Sequence, residues 1–147
     1  MANADHQQPL LQTENLRLSA NGAPLLAGLS LNVNAGQVVS LMGESGSGKS
    51  LTALSILGLL PDGVHRQGRI VLDGRDIGAM TDAELDAVRG RDIGMVFQEP
   101  MTALNPLMTI GDQVAEVVRV HARQTRRVAR QRAQEALERV GLPATAF

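Results

Sequence analysis

The chain contains no cysteine, no tryptophan and no tyrosine, and only two phenylalanines, Phe97 and Phe147, among its 147 residues. The first absence excludes disulfides, thiolate metal sites and a cysteine nucleophile, and points to a reducing compartment. The scarcity of aromatics leaves none interleaved with the arginines after Val118, as a nucleic-acid-binding patch would have. Long apolar runs are missing too: the longest, Leu51 to Leu60, is too short and too interrupted to span a bilayer, so any membrane contact is expected to come through a partner. Met1 to Gln8 has neither the basic nor the apolar segment of a secretory signal. A formal net charge of −1 gives no reason to expect a nucleic-acid or anionic-membrane partner across the whole surface. With 44% apolar and 20% charged residues the chain can bury a core within roughly one domain. Lysine is almost absent, with one against thirteen arginines.

That single lysine, Lys49, lies in Gly43-Glu44-Ser45-Gly46-Ser47-Gly48-Lys49-Ser50, which fits the spacing G-x-x-x-x-G-K-[ST] of a phosphate-binding loop. Small residues at this spacing let successive N–H groups converge on one anion, and the helix that begins there adds its positive end. A compact ammonium at Lys49 suits the β- and γ-phosphates better than a guanidinium fork would, while the Ser50 hydroxyl suits a Mg²⁺ bridging the same groups. The context agrees. Val38 to Met42 is a short apolar run that reads as a parallel strand buried on both faces, and Leu51 onward reads as a helix of about three turns stopping at Pro61-Asp62-Gly63.

Along the chain, residues 1–9 form a polar leader and Leu11 to Ser19 alternates as a strand. Asn21-Gly22 turns it, and Leu29 to Val33 reads as a half-buried antiparallel strand before Ala35-Gly36. Gly68 to Leu72 is the next strand, turned by Asp73-Gly74. Thr81-x-x-Glu84 is a capping box for a short helix to about Arg89, which Gly90 ends. Asp92 to Phe97 reads as a further strand running into Gln98-Glu99-Pro100. From Thr109 the chain is helical in two pieces to Val140, with Gly141 as the stop. His6 and His65 fall in loop-like segments, and His121 lies in an Arg-rich helix, where exposure is expected. The order predicts a mixed α/β fold: an antiparallel β section, a parallel-type strand with its loop and helix, then the start of a helical subdomain.

Taken together, Gly43 to Ser50 and the string Val96-Phe97-Gln98-Glu99-Pro100-Met101-Thr102-Ala103-Leu104-Asn105-Pro106 resemble the ATP-binding subunits of ABC transporters. Among these the string is most similar to importers of oligopeptides, dipeptides, nickel and glutathione. The resemblance implies a P-loop NTPase core over residues 10–100, with an antiparallel β-subdomain, and a partial helical subdomain over 101–147. It makes Gly43, Glu44, Ser45, Gly46, Ser47, Gly48, Lys49 and Ser50 the Walker A motif that binds ATP. Gln98 becomes the Q-loop glutamine, contacting Mg²⁺ and the attacking water, so that Lys49 and Gln98 are the expected catalytic residues and Ser50 and Gln98 the expected metal contacts. The loop from Glu99 to Thr109 would face integral membrane permease subunits, and a second ATP-binding subunit would complete the site. The subunit would be cytoplasmic and peripheral on the inner face of the cell membrane, without a nucleic-acid partner. The family stacks adenine on an aromatic residue just before the second strand; here Leu18 to Ala20 occupies that place, so the aromatic platform is lost, and an apolar side chain such as Leu18 would substitute for it only in part.

The family's signature loop Leu-Ser-Gly-Gly-Gln, its Walker B run ending in Asp-Glu and its switch histidine have no counterpart in the sequence. Ile70-Val71-Leu72-Asp73 imitates Walker B, but Asp73-Gly74 is a turn pair and no glutamate follows. The chain by itself is therefore expected to bind nucleotide weakly at most, as the N-terminal part of an importer ATPase left by truncation or a split gene, with an apolar flank of its sheet uncovered. Three other classes remain. A GTPase needs an Asn-Lys-x-Asp motif, impossible with Lys49 as the only lysine. Arg123 to Arg132 could imitate the lid of a small-molecule kinase, against which the Gln98 string argues. A non-catalytic nucleotide-binding or interaction module docking through Glu99 to Thr109 stays open. The arginines from Arg119 to Arg139 form a basic patch, and Ala129, Ala133, Ala136, Leu137 and Val140 an apolar face that explains the helix without a nucleic-acid partner.

Overall fold

A computed structural model describes residues 8–97 and 104–142, which fall into two compact units, one up to Arg89 and one from Gly90 onward. The first unit is built on an antiparallel sheet of order β2-β1-β3-β4, from β1 (Leu11–Ala20), β2 (Ala23–Val33), β3 (Val64–Leu72) and β4 (Arg75–Asp76). Both short turns are the expected ones: Asn21-Gly22 and Asp73-Gly74 take left-handed φ values of 51° and 78°, and 49° and 73°. That pairing of positive φ matches the twist of the flanking strands.

The central strand carries a phase change. Thr13 is buried, yet so are Leu16 and Leu18, and these lie an odd number of positions further on. One residue must therefore bulge out to keep all three on the core face. It is Asn15, at φ 47°, and the β1 pairings with both β2 and β3 shift register there. Thr13 Oγ1 donates to Leu29 O and accepts from Leu31 N–H, each at 3.2 Å, which satisfies the buried hydroxyl beside the break. Ser30 Oγ accepts the Asn15 N–H at 2.8 Å. Opposite the bulge stands Gly68 at φ 94°, where a Cβ would lie 2.5 Å from Asn15 O and 2.6 Å from Glu14 O. The core face is completed by Ile70, Val71 and Leu72 of β3, with Ile77 from the 3-10 turn that follows β4.

Two helices accompany the sheet. The first, α1 (Lys49–Ile56), is two turns rather than the expected three. Gly58 at φ 65° ends it, with Gly58 N–H on Ser55 O and Leu59 N–H on Leu54 O, so the stop precedes Pro61. The second, α2 (Asp82–Val88), begins on the expected capping box: the Thr81 N–H and hydroxyl both donate to Glu84 Oε2 at 2.8 Å.

The strand expectations are corrected at several places by the structure. Val38 to Met42 is not a strand: no described residue pairs with its backbone, and Val38 and Met42 are over nine-tenths exposed. A parallel strand needs hydrogen-bonded neighbours, and the described residues supply none. Asp92 to Phe97 likewise shows only an isolated bridge at Ile93. β3 starts at Val64, not Gly68, so His65 sits in a strand opposite Ser19 and not in a loop. Gly68 had read as a boundary because its role, facing the bulge, is visible only once β1 is beside it.

The second unit is a helical hairpin of α3 (Ile110–Ala122) and α4 (Arg126–Arg139). Ala115, Ala129 and Ala133 form its core, flanked by Val114 and Val118. Leu137 is buried as expected, but Ala136 and Val140 are exposed, so the α4 apolar stripe is narrower than its sequence suggested. Thr109 caps α3 by accepting the Asp112 N–H at 3.1 Å. Arg130 reaches across from α4 and gives both Nε and Nη2 to Asp112 Oδ1, at 3.1 and 2.6 Å.

Gly68→Ala should destabilise the protein by about 2 kcal/mol or more, because backbone, not a flexible side chain, meets the new methyl group at a left-handed position; urea unfolding with an unchanged midpoint would contradict this. The Arg130 hydrogen bond is the main cause holding the Asp112 carboxyl below its ordinary range. A folded-state value depressed in this way gives stability that is present above the unfolded carboxylate range and lost as pH falls through the folded value. In Arg130→Ala the Asp112 midpoint, followed by carboxyl NMR, should move up toward the ordinary value, and an unmoved midpoint would show that Arg130 is not the cause.

Candidate functional site

The loop from Gly43 to Ser50 closes on its own lysine. Gly46 and Gly48 adopt φ 82° and 88°, and the turn is fixed by Ser47 N–H on Glu44 O at 3.2 Å. Lys49 Nζ then donates to Gly43 O at 2.8 Å, Glu44 O at 2.6 Å and Ser47 Oγ at 3.2 Å. The ammonium thus gathers the carbonyl side of the loop to itself. The loop is also tight from within: a Cβ on Gly43 would meet Ser47 Oγ at 2.6 Å. It rests on β2, where a Cβ on Gly48 would lie 3.3 Å from Leu25 O and 3.5 Å from Leu26 Cδ1. Glycine is therefore a packing requirement at both places, and at Gly48, with its left-handed φ, a conformational one as well.

Gly48 is the N-cap of α1, no side chain caps the first turn, and no acidic residue stands there. The leading N–H groups of α1 are left for an anion at the positive end of the helix. Ser50, in that first turn, is exposed, as are Glu44 and Ser45. Behind the loop, two buried hydroxyls tie the helix together: Thr52 Oγ1 donates to Gly48 O at 2.9 Å and Ser55 Oγ to Thr52 O at 2.7 Å. These were not singled out from sequence, and a hydroxyl in a helix interior gives little signal of such a role.

Gln98 and the stretch from Glu99 to Ala103 lie outside the described residues. The remainder of that loop, Leu104 to Thr109, belongs to the second unit and is fastened by Gln113, a residue that sequence reasoning missed. Asn105 N–H donates to Gln113 Oε1 at 2.8 Å, and Gln113 Nε2 donates to Asn105 O at 3.0 Å and Met108 O at 3.1 Å. Leu18, expected near an adenine, is only 1% exposed and packs in the core. It shares the inward face with Leu16, so it cannot serve as a base platform. Ile70 to Asp73 is the end of an antiparallel strand and a tight turn, as the turn pair indicated. His121 is exposed in the last turn of α3, where a Cβ on Gly90 would lie 2.6 Å from its Cε1. Among the described residues no group of three or more His, Asp or Glu could hold a metal ion, and no helix is long and apolar enough to cross a membrane.

A loop of this spacing, wrapped on its lysine and opening a helix, is the phosphate-binding loop of a P-loop NTPase. The ABC transporter family profile matches residues 26–146, and the chain belongs to that family. Among curated relatives, a protein of Brucella abortus (strain 2308) named for peptide import and ATP binding is 46% identical over 93% of this chain and 44% of its own length. The oligopeptide transport ATP-binding protein AppD of Bacillus subtilis is 41% identical, over 90% of this chain and 42% of its own. The chain thus spans less than half the length of these relatives. Among solved structures, the dimeric post-hydrolysis state of the ATP-binding cassette MJ0796, bound to ADP and Pi, matches 92% of this chain and 59% of that one, with a TM-score of 0.72 and 27% identity. The cbiO1 protein of Clostridium perfringens, part of an ABC transporter complex, gives a TM-score of 0.66 at 26% identity.

Proposed function

We propose that this chain is the N-terminal, nucleotide-binding portion of an ABC importer ATPase that takes up peptides or related solutes, with ATP phosphates held in the loop from Gly43 to Ser50. The observation that carries this reading is the Lys49 ammonium, 2.6 to 2.8 Å from the Gly43 and Glu44 carbonyls, in a loop whose left-handed glycines lead into an uncapped helix. Three donors sit on that ammonium, so it can keep part of the loop's carbonyl shell while turning toward a phosphate oxygen. The α1 amides would bind the same group, and their dipole adds to the attraction. The names of the relatives, given for peptide import and oligopeptide transport, supply the solute class.

The donor set suits a Mg²⁺ shared with a nucleotide rather than one caged by protein carboxylates. Ser50 is an exposed hydroxyl in the first turn, and hard cations of this kind take few protein ligands and several from phosphate and water. When bound, the ion would neutralise charge on the phosphate oxygens. Gln98 is assigned beside it and beside the attacking water. A second ATP-binding subunit is the proposed partner across the nucleotide, supported by the dimeric form of the solved relative. Membrane permease subunits are the proposed partners of the loop from Glu99 to Thr109, which would place the protein on the inner face of the cell membrane.

Calorimetric titration with ATP tests the assignment. Lys49→Ala should weaken ATP binding about tenfold or more, taking charged hydrogen bonds at their usual worth. Ser50→Ala should bind ATP equally with and without Mg²⁺, whereas the unaltered chain binds more tightly with it. Equal Mg²⁺ dependence in both would overturn the Ser50 assignment.

A further inference from the structure

The site has a second end. Helix α1 carries the phosphate loop at its N-terminus and has only eight residues, so whatever fixes its C-terminus also fixes the loop. Three carbonyls at that C-terminal end receive guanidinium N–H groups from outside the helix. Arg66 of β3 donates through Nη1 to Ser55 O at 3.1 Å, and its Nη2 donates to Gly78 O. Arg89, at the end of α2, donates through Nε to Leu57 O at 2.8 Å and through Nη2 to Gly58 O at 3.0 Å. Arg89 is itself held: Nη1 bonds Asp86 Oδ1 at 2.8 Å, Nη2 lies 3.7 Å from Asp82 Oδ1, and its side chain is only 21% exposed.

Gly58 shows how closely this end is docked. A Cβ there would lie 2.6 Å from Leu85 Cδ1 and 3.1 Å from Arg89 Nη2. Leu57 and Leu85 are both buried, so the contact is packed as well as bonded. A cation at the negative end of a helix is favourable, and one that bonds two successive carbonyls also fixes direction, which a point charge does not.

We infer that Arg89 is a positioning residue for the phosphate loop: by clamping the Leu57 and Gly58 carbonyls it sets the axis of α1, and through it the aim of the loop amides and of Lys49. This rests on the proposed nucleotide reading of the loop. Placement errors of about 1 Å at a binding or reacting group are costly, and a two-turn helix has little length over which to absorb them.

The test is a double-variant cycle on the full chain, with ATP affinity measured by calorimetry at a temperature where circular dichroism shows each variant folded. Arg89→Ala is expected to weaken ATP binding about tenfold. Arg89→Lys, which keeps the charge but cannot bond both carbonyls in one plane, should fall between Arg89→Ala and the unaltered chain. In a Lys49→Ala background the effect of Arg89→Ala should largely vanish, since Arg89 acts through the loop that Lys49 completes; a merely structural role would add its full loss to both backgrounds. Full additivity, or wild-type affinity in Arg89→Lys, would overturn the inference, and the Lys variant decides the matter if Arg89→Ala does not fold. Failure of the underlying reading looks different: there the unaltered chain itself would show no ATP binding that depends on Lys49.

Discussion

The ammonium of Lys49, bonded to three oxygens of its own loop, is the contact on which the rest of the site depends. A loop made of glycine and serine has little reason to hold one shape, because glycine gives up more backbone freedom on ordering than any other residue. Here the ordering is carried by one charge placed inside the curl, against Gly43 and Glu44 on one side and Ser47 on the other. A lysine suits this place, because its ammonium is a compact point donor where a guanidinium would be planar and larger.

The scaffold serves the loop by fixing what lies under and behind it. β2 provides the floor at Leu25 and Leu26, and the strand it pairs with, β1, is itself set by the Asn15 bulge and Gly68 opposite it. Buried hydroxyls of Thr52 and Ser55 bind α1 together, and arginines from β3 and α2 take up its far carbonyls. The second unit is organised by the same economy on a smaller scale. Its core is mostly alanine, so the helices approach closely, and the Asp112 to Arg130 pair fixes one helix on the other.

Much of this was legible in the sequence where the cause is local. Asn-Gly and Asp-Gly pairs announced both tight turns, Thr81 and Glu84 announced the cap of α2, and the loop spacing announced its own glycines and lysine. The phase change between Thr13 and Leu16 was present in the letters but had to be counted against burial to be seen as a bulge. What did not come through was everything decided by neighbours distant in sequence. An apolar run such as Val38 to Met42 states that both faces suit burial, and says nothing about whether a strand stands beside it. Leu18 looked free to meet a base until its strand was placed, with Leu16, on the inward face. α1 stops early because Gly58 turns left-handed and its neighbours close the last carbonyls, a local stop that the Pro61-Asp62-Gly63 signal further on overshadowed. Arg66, Arg89 and Gln113 carried no signal at all, since an arginine or glutamine reads as surface until the carbonyls it serves are in view.

The central claim is that the loop from Gly43 to Ser50 receives the phosphates of a nucleotide, and the amide spectrum of the chain measures this directly. Titration with ATP, and separately with adenosine, should move the backbone N–H signals of Gly46, Ser47, Gly48, Lys49 and Ser50 with ATP and leave them in place with adenosine. Shifts confined to other residues, or equal shifts with both ligands, would contradict the account.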